Sequence, residues 1–127
     1  MKVAIIEDEK SIIDAINLAF EFRWPGASVV AAATGEDGVA LVKKESPELV
    51  ILDVRLGESS GLDVLSKIKD LSAGTEVIMV TGLGDEATMQ EAKSLGANDF
   101  LTKPFTADFL NNLLTQKLAD LKKAKTP

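Results

Sequence analysis

Four short apolar runs constrain the fold of this chain more than any other feature of its sequence. They span residues 3–6, 29–33, 49–52 and 77–80, and none of them contains a polar residue. The runs are too short for buried helices, and they lack the polar–apolar alternation of a strand with one face in water. Uninterrupted runs of this length are typical of strands covered on both faces, which predicts a parallel sheet. Residues 99–102 are a fifth, weaker candidate strand.

The segments between these runs carry apolar residues at helical spacing. The first segment has one apolar stripe, formed by Ile12, Ile13, Ile16, Ala19 and Phe20. Thr34 is a suitable N-cap for a second helix, and Ser60 with Asp63 resembles a capping box at the start of a third. The fourth segment, 85–95, has few apolar residues and is expected to be the least firmly docked helix. Five strands alternating with five helices predict a three-layer α/β sandwich with right-handed crossovers.

Length and composition narrow the range of functions. The 127 residues suit one domain, which we place at 1–121, with 122–127 as a tail or the start of a linker. The 14 basic and 20 acidic residues give a net charge of −6, which argues against direct contact with nucleic acid. Because the chain has no Cys and no His, it contains no disulfide, no thiolate or imidazole metal site and no Ser-His-Asp triad. No apolar run approaches the length of about 20 residues that spans a bilayer, and the N-terminus is unlike a signal peptide, so we expect a cytoplasmic protein without membrane contact.

Four of the five predicted strands end in polar residues that could form one site, whereas the second ends at Thr34, without a charge. The first strand ends at Glu7 and Asp8, the third at Asp53, the fourth at Thr81 and the fifth at Lys103. If the strands lie in the order 2-1-3-4-5, these four ends meet in one crevice at the carboxyl edge of the sheet, where α/β proteins bind ligands. Taken singly, each residue could be an ordinary cap or turn residue. Their joint placement favours a common site.

The expected crevice contains three carboxylates, and their mutual repulsion requires a compensating positive charge. Two carboxylates in contact repel each other by about 4 kcal/mol at an effective dielectric constant near 20. Mg²⁺ accepts an all-oxygen environment of this kind and would relieve the repulsion. An aspartate beside a bound cation and a lysine is a plausible nucleophile toward phosphorus. The residues therefore predict a Mg²⁺-dependent phosphoryl acceptor.

With these residues in this order, the chain closely resembles the receiver domain of two-component response regulators over essentially its whole length. The matching pieces are Glu7-Asp8, Leu52-Asp53-Val54, Gly61, Thr81-Gly82 and the segment 97–105. The resemblance implies a flavodoxin-like doubly wound fold with a five-stranded parallel sheet in the order 2-1-3-4-5.

The resemblance also implies a role for each matching residue. Asp53 would accept a phosphoryl group from a histidine kinase or a histidine phosphotransfer protein, and Mg²⁺ would be held by Glu7, Asp8, Asp53 and the backbone carbonyl of Arg55. Lys103 would pair with the phosphoryl oxygens. With the acceptor, the Mg²⁺ ligands and the lysine together, the chain would catalyse its own phosphorylation and slow dephosphorylation. It would act as a signalling switch and not as an enzyme.

Switching is implied for a second set of residues. Thr81 would swing to the phosphoryl group, Phe100 would turn inward behind it, and the Lys103–Pro104 peptide bond would be cis. The surface of the fourth helix, fifth strand and fifth helix would then change its binding of an output domain or effector protein, and a phosphorylation-dependent homodimer is a further partner hypothesis.

Several residues depart from the family pattern, and one alternative function stays open. Glu7 stands where many relatives have Asp, Gly57 stands where Pro is common, and Arg55 and Leu83 occupy positions that tune hydrolysis in the family. Arg55 also stands where a haloacid-dehalogenase-type phosphatase has its second aspartate. The alternative is a receiver-like interaction module that acts without phosphorylation.

Overall fold

The computed structural model of the chain describes residues 1–57, 59–82 and 84–125, and for 123–125 it describes the backbone alone. The strands are β1 (Lys2–Ile6), β2 (Ser28–Ala32), β3 (Leu49–Asp53), β4 (Arg55–Leu56), β5 (Ser59–Ser60), β6 (Glu76–Gly82) and β7 (Asp99–Lys103). The helices are α1 (Lys10–Arg23), α2 (Gly35–Glu45), α3 (Gly61–Leu71), α4 (Glu86–Ser94) and α5 (Ala107–Lys125). None of these helices is long and apolar enough to cross a bilayer.

The five longer strands form one parallel sheet in the order β2-β1-β3-β6-β7. This order confirms the predicted 2-1-3-4-5, because β6 and β7 are the predicted fourth and fifth strands. The antiparallel ribbon β4–β5 was not predicted. It consists of two-residue strands beside Gly57, whose φ is +61°, and two residues are too few to show a strand pattern.

Two apolar cores explain why the strands have no polar residues. On β1, Val3 and Ile5 point into the core shared with α1 and α5, whereas Ala4 and Ile6 point into the core shared with α2, α3 and α4. Both sets are fully buried, as expected for a sheet covered on both faces. The sheet is therefore the middle layer of the predicted three-layer sandwich.

Thr34 and Ser60 are confirmed as N-cap residues, but Ser60 bonds to Leu62 and not to Asp63, its expected capping-box partner. The Thr34 hydroxyl accepts a hydrogen bond from the Asp37 N–H at 3.1 Å, and the Ser60 hydroxyl accepts one from the Leu62 N–H at 3.2 Å. Gly96 follows α4 with a φ of +104°. The last helix continues to Lys125, beyond the domain end expected at 121, while residues 126 and 127 of the expected tail lie outside the described residues.

The start of β7 is held from three sides through Asn98. Its Oδ1 atom accepts hydrogen bonds from the Val77 N–H on β6 and from Lys69 Nζ on α3, both at 2.9 Å. Lys117 on α5 donates to the Asn98 carbonyl at 3.4 Å and lies 3.3 Å from the Asp99 carboxylate. These contacts fix β7 against its neighbours, and the opposite end of the same strand carries Lys103.

The fourth helix is attached to the rest of the molecule by few buried side chains. Ala92 is its one fully buried residue among those described, whereas α3 buries Val64, Leu65 and Ile68. The Lys93 ammonium lies 5.9 Å from the centre of the Phe100 ring on β7. This sparse packing agrees with the expectation that the fourth helix is the least firmly docked.

The helix α3 begins so close to the end of β3 that a side chain at Gly61 would not fit. A Cβ atom there would lie 2.7 Å from Val54 Cα and closer still to the Asp53 carbonyl oxygen. We expect Gly61→Ala to lower the free energy of unfolding by about 2 kcal/mol, as overpacking against fixed backbone typically does. Urea denaturation would measure the change. Gly74→Ala is the control, because a Cβ at Gly74 meets nothing within 4 Å, and equal losses in both variants would contradict the steric explanation.

Candidate functional site

The carboxyl ends of β1, β3, β6 and β7 form one crevice, as predicted. Its walls include Asp8, Asp53, Arg55, Thr81 and Lys103. The crevice exists because the strands run parallel, so that the residue following each strand lies at the same edge of the sheet. Polar residues that are distant in the sequence are therefore brought within contact of one another.

Asp53, the last residue of β3, is 4% exposed, and both of its carboxylate oxygens accept hydrogen bonds. Oδ1 accepts from the Arg55 N–H at 2.9 Å, and Oδ2 accepts from Lys103 Nζ at 2.8 Å. Burial acts to raise the pKa of Asp53, but the neighbouring Glu7 side chain, the hydrogen bond from the Arg55 amide and the hydrogen bond from Lys103 outweigh it and lower the pKa below its ordinary value. The buried aspartate is thus held in its ionised, nucleophilic form.

Lys103 is the cationic centre of the site. Its ammonium lies 2.8 Å from Asp53 Oδ2, 3.1 Å from Glu7 Oε1 and 3.1 Å from Glu9 Oε1. Burial alone would lower the pKa of Lys103, but the hydrogen bonds to Asp53, Glu9 and Glu7 raise it above its ordinary value. The lysine is consequently always charged at physiological pH.

Glu7 is 1% exposed, and its Oε1 atom contacts the Lys103 ammonium. Burial is the main cause that raises its pKa to about 8, and the neighbouring Asp53 carboxylate adds to the shift, whereas Lys103 opposes it. Glu7 Oε2 is buried and has no hydrogen-bond partner among the described residues. A buried carboxylate oxygen without a partner is unfavourable, and a bound cation would satisfy it.

The carboxylates also have the spacing of a cation site. Glu7, Asp8 and Asp53 each offer an oxygen atom, and these atoms lie within 4.8 Å of one another. Asp8 is exposed, so that a bound ion would keep access to water, which Mg²⁺ retains in most protein sites. The donor set and the unsatisfied oxygen of Glu7 therefore fit Mg²⁺. The backbone of Arg55 borders the same crevice.

Of the residues expected to take part in switching, Thr81 and Lys103 border the crevice, whereas Phe100 packs against one of the cores. Thr81 is 1% exposed, and within the described residues its hydroxyl has no hydrogen-bond partner. Phe100 is partly buried against the core formed by α2, α3 and α4. The Lys103–Pro104 peptide bond is cis, as the resemblance implied. Leu83, expected to tune hydrolysis together with Arg55, lies outside the described residues.

Sequence reasoning missed one member of the site, Glu9. Its carboxylate lies 3.1 Å from Lys103 Nζ, although its side chain is 57% exposed. The signal in the sequence is the run of three acidic residues directly after the first strand, of which the first two alone were predicted to belong to the site. The sequence does not indicate which of three adjacent acids reaches a lysine at position 103.

Comparison with known proteins identifies the family. The family model for the response regulator receiver domain matches residues 3–115. The acid tolerance regulatory protein ActR of Sinorhizobium medicae is 36% identical over 113 residues, which cover 89% of this chain and 57% of ActR. The transcriptional regulatory protein DltR of Streptococcus agalactiae is 36% identical over 110 residues, which cover 87% of this chain and 48% of DltR. A solved CheY-like receiver domain protein from Methanospirillum hungatei superposes with a TM-score of 0.87 at 28% identity and covers 97% of both chains.

The chain belongs to the response regulator receiver domain family of two-component signalling systems. It spans about half the length of the curated relatives it matches. Those relatives are named as regulatory proteins, and members of the family act as signalling switches. Receiver domains generally use Mg²⁺ at an acidic pocket and partner with histidine kinases and output domains.

The raised pKa of Glu7 predicts that the protein without divalent cations loses stability as the pH rises. Unfolded Glu7 releases its proton near pH 4.5, whereas the folded protein keeps it until about pH 8. The folded state thus binds more protons between these values, and its stability falls across this window. In EDTA, we expect Glu7→Gln to gain on the order of 2 kcal/mol over the parent between pH 5 and pH 8. Urea denaturation series at both pH values would measure this. A parallel pH dependence in the two proteins would contradict the prediction.

Proposed function

We propose that Asp53 accepts a phosphoryl group in a Mg²⁺-dependent reaction, and that the donor is a phosphohistidine on a histidine kinase or a histidine phosphotransfer protein. The observation that carries this proposal is the ionised, buried carboxylate of Asp53 in contact with Lys103 and beside two further carboxylates. The proposal extends the family assignment to particular atoms of this chain.

In the transfer, one Asp53 carboxylate oxygen attacks the phosphorus atom, forming an O–P bond. The P–N bond to the donor imidazole breaks, and its electron pair returns to the ring nitrogen. Lys103 supports this step, since its ammonium is already within hydrogen-bond distance of the nucleophile and can meet phosphoryl oxygens in the same crevice. Mg²⁺, held by Glu7, Asp8, Asp53 and the Arg55 carbonyl, would supply positive charge against the carboxylates and the phosphoryl oxygens.

The product returns to its starting state by slow hydrolysis. Water attacks the phosphorus atom, the O–P bond to Asp53 breaks, and inorganic phosphate leaves. On this proposal, the groups that favour transfer of the phosphoryl group to Asp53 also act when that phosphoryl group is hydrolysed. On this proposal the chain works as a timed switch and does not turn over an external substrate.

The output of the switch is the surface formed by α4, β7 and α5. The Thr81 hydroxyl, which has no hydrogen-bond partner in the part of the chain that the structure describes, is available to donate to a phosphoryl oxygen. Its movement would leave space for Phe100 to turn inward. The sparse packing of α4 supports a change at this surface at low energetic cost. The partners of this surface would be an output domain or effector protein, or a second copy of the chain in a phosphorylation-dependent homodimer. Transfer from a histidine kinase implies action in the cytoplasm.

Covalent labelling tests the acceptor. With acetyl phosphate and Mg²⁺, we expect the parent protein to gain the mass of one phosphoryl group and Asp53→Ala to gain none, because the nucleophile is removed. Intact-protein mass spectrometry measures this directly. Asp63→Ala is the control, because Asp63 lies in the first turn of α3 and borders a different groove. Labelling that persists in Asp53→Ala would contradict the assignment, and no labelling of the parent would favour the interaction module that acts without phosphorylation.

Thermal melting tests whether Mg²⁺ binds in the crevice. A ligand that binds the folded crevice and not the unfolded chain raises the Tm, and at 100 times its Kd it adds about 2.7 kcal/mol of stability. We therefore expect millimolar Mg²⁺ to raise the Tm of the parent and to have much less effect on Asp8→Ala. Asp14→Ala, on the outer part of α1, is the control and should respond like the parent. Equal responses of the parent and Asp8→Ala would count against the site.

A further inference from the structure

The three hydrogen-bond donors of the Lys103 ammonium are matched by three carboxylates. Asp53 Oδ2, Glu7 Oε1 and Glu9 Oε1 all lie within 3.1 Å of Nζ. An ammonium has three N–H bonds and no further donor. A phosphoryl oxygen that pairs with Lys103 must therefore displace one of these carboxylates.

The three carboxylates differ in how easily they can be displaced. The side chains of Asp53 and Glu7 are 5% and 2% exposed, so that neither can exchange the lysine for water without leaving a buried carboxyl oxygen without its partner. The Glu9 side chain is 57% exposed and can be hydrated as soon as it separates from Lys103. Glu9 is the partner that the lysine gives up most readily.

The position of Glu9 in the fold supports this exchange. It is the N-cap residue of α1, and its backbone carbonyl accepts hydrogen bonds from the N–H groups of Ile12 and Ile13. The backbone of Glu9 is therefore fixed by the first turn of the helix, whereas its side chain borders the crevice beside Asp8 and Lys103. The carboxylate can turn away from the lysine without any movement of the helix.

We propose, on the basis of the function proposed above, that Glu9 is a positioning residue that competes with the phosphoryl group for Lys103. Glu9 pairs with the lysine in the unphosphorylated protein and is released when a phosphoryl oxygen takes its place. The competition lowers the affinity of the site for the phosphoryl group and so sets how readily the switch turns on.

Beryllofluoride, a non-covalent analogue of the phosphoryl group, tests this exchange under saturating Mg²⁺. Fluorine NMR titration gives the Kd for the parent, Glu9→Gln and Glu9→Asp, after the Mg²⁺ affinity of each has been measured. Glu9→Gln removes the charge at constant length, whereas Glu9→Asp keeps the charge on a side chain shorter by one methylene group. We expect both variants to bind beryllofluoride about two to five times more tightly than the parent, the range for loss of a largely exposed ion pair.

A control variant distinguishes the effect of losing the Glu9–Lys103 ion pair from the effect of losing one negative charge anywhere on the protein. Asp14→Asn removes one negative charge from the same helix at a residue that borders a different groove. We expect the Asp14→Asn protein to bind beryllofluoride as the parent does. Thermal melting without beryllofluoride would show whether each variant folds normally.

The possible outcomes are distinguishable. Parent-like or weaker binding by Glu9→Gln overturns the role of Glu9 while the proposed function stands, and so does an equal gain in Asp14→Asn. Parent-like binding by Glu9→Asp would show that charge alone matters, which also overturns it. If the parent does not bind beryllofluoride at all, the proposed function fails together with the inference.

Discussion

The contact between Lys103 and Asp53 is the interaction on which the rest of the site depends. It joins residues 50 positions apart at the ends of β7 and β3, with β6 between these two strands. A carboxylate as buried as Asp53 is tolerated when a cation and hydrogen-bond donors compensate for its lost hydration. The lysine supplies that cation. The parallel sheet, which is packed on both faces, holds the two side chains in contact.

The same arrangement leaves a surplus of negative charge. One ammonium faces three carboxylates, and Asp8 adds a fourth at the rim. Burial is the main cause of the raised pKa of Glu7, and the neighbouring Asp53 carboxylate adds to the shift. Within the described residues, Glu7 Oε2 also lacks a hydrogen-bond partner. A site with this imbalance is suited to bind a cation, because the cation would offset negative charge that the folded protein already holds in place.

The two ends of β7 differ in how they are held. At its start, Asn98 is tied to β6, α3 and α5, whereas Lys103 at its end has partners in the crevice that ligands can replace. Next to β7, α4 has little buried surface among the described residues, and Thr81 has an unused hydroxyl. Among the described residues, β7 is therefore firmly fixed at its start, whereas α4 beside it is the helix with the least buried surface.

The sequence by itself determined the strands, their order by resemblance, several helix ends and the residues at the strand ends, because burial on both faces and capping leave local patterns. The sequence did not indicate the ribbon β4–β5, because its strands are too short to form a pattern. It also did not indicate that α5 continues to Lys125. It also could not assign Glu9 to Lys103, since that pairing depends on where two strand ends lie in space. Only the tertiary structure decided which carboxylate is buried, which oxygen lacks a partner and how one ammonium is shared, because hydration and charge pairing are set by neighbours that are distant in the chain.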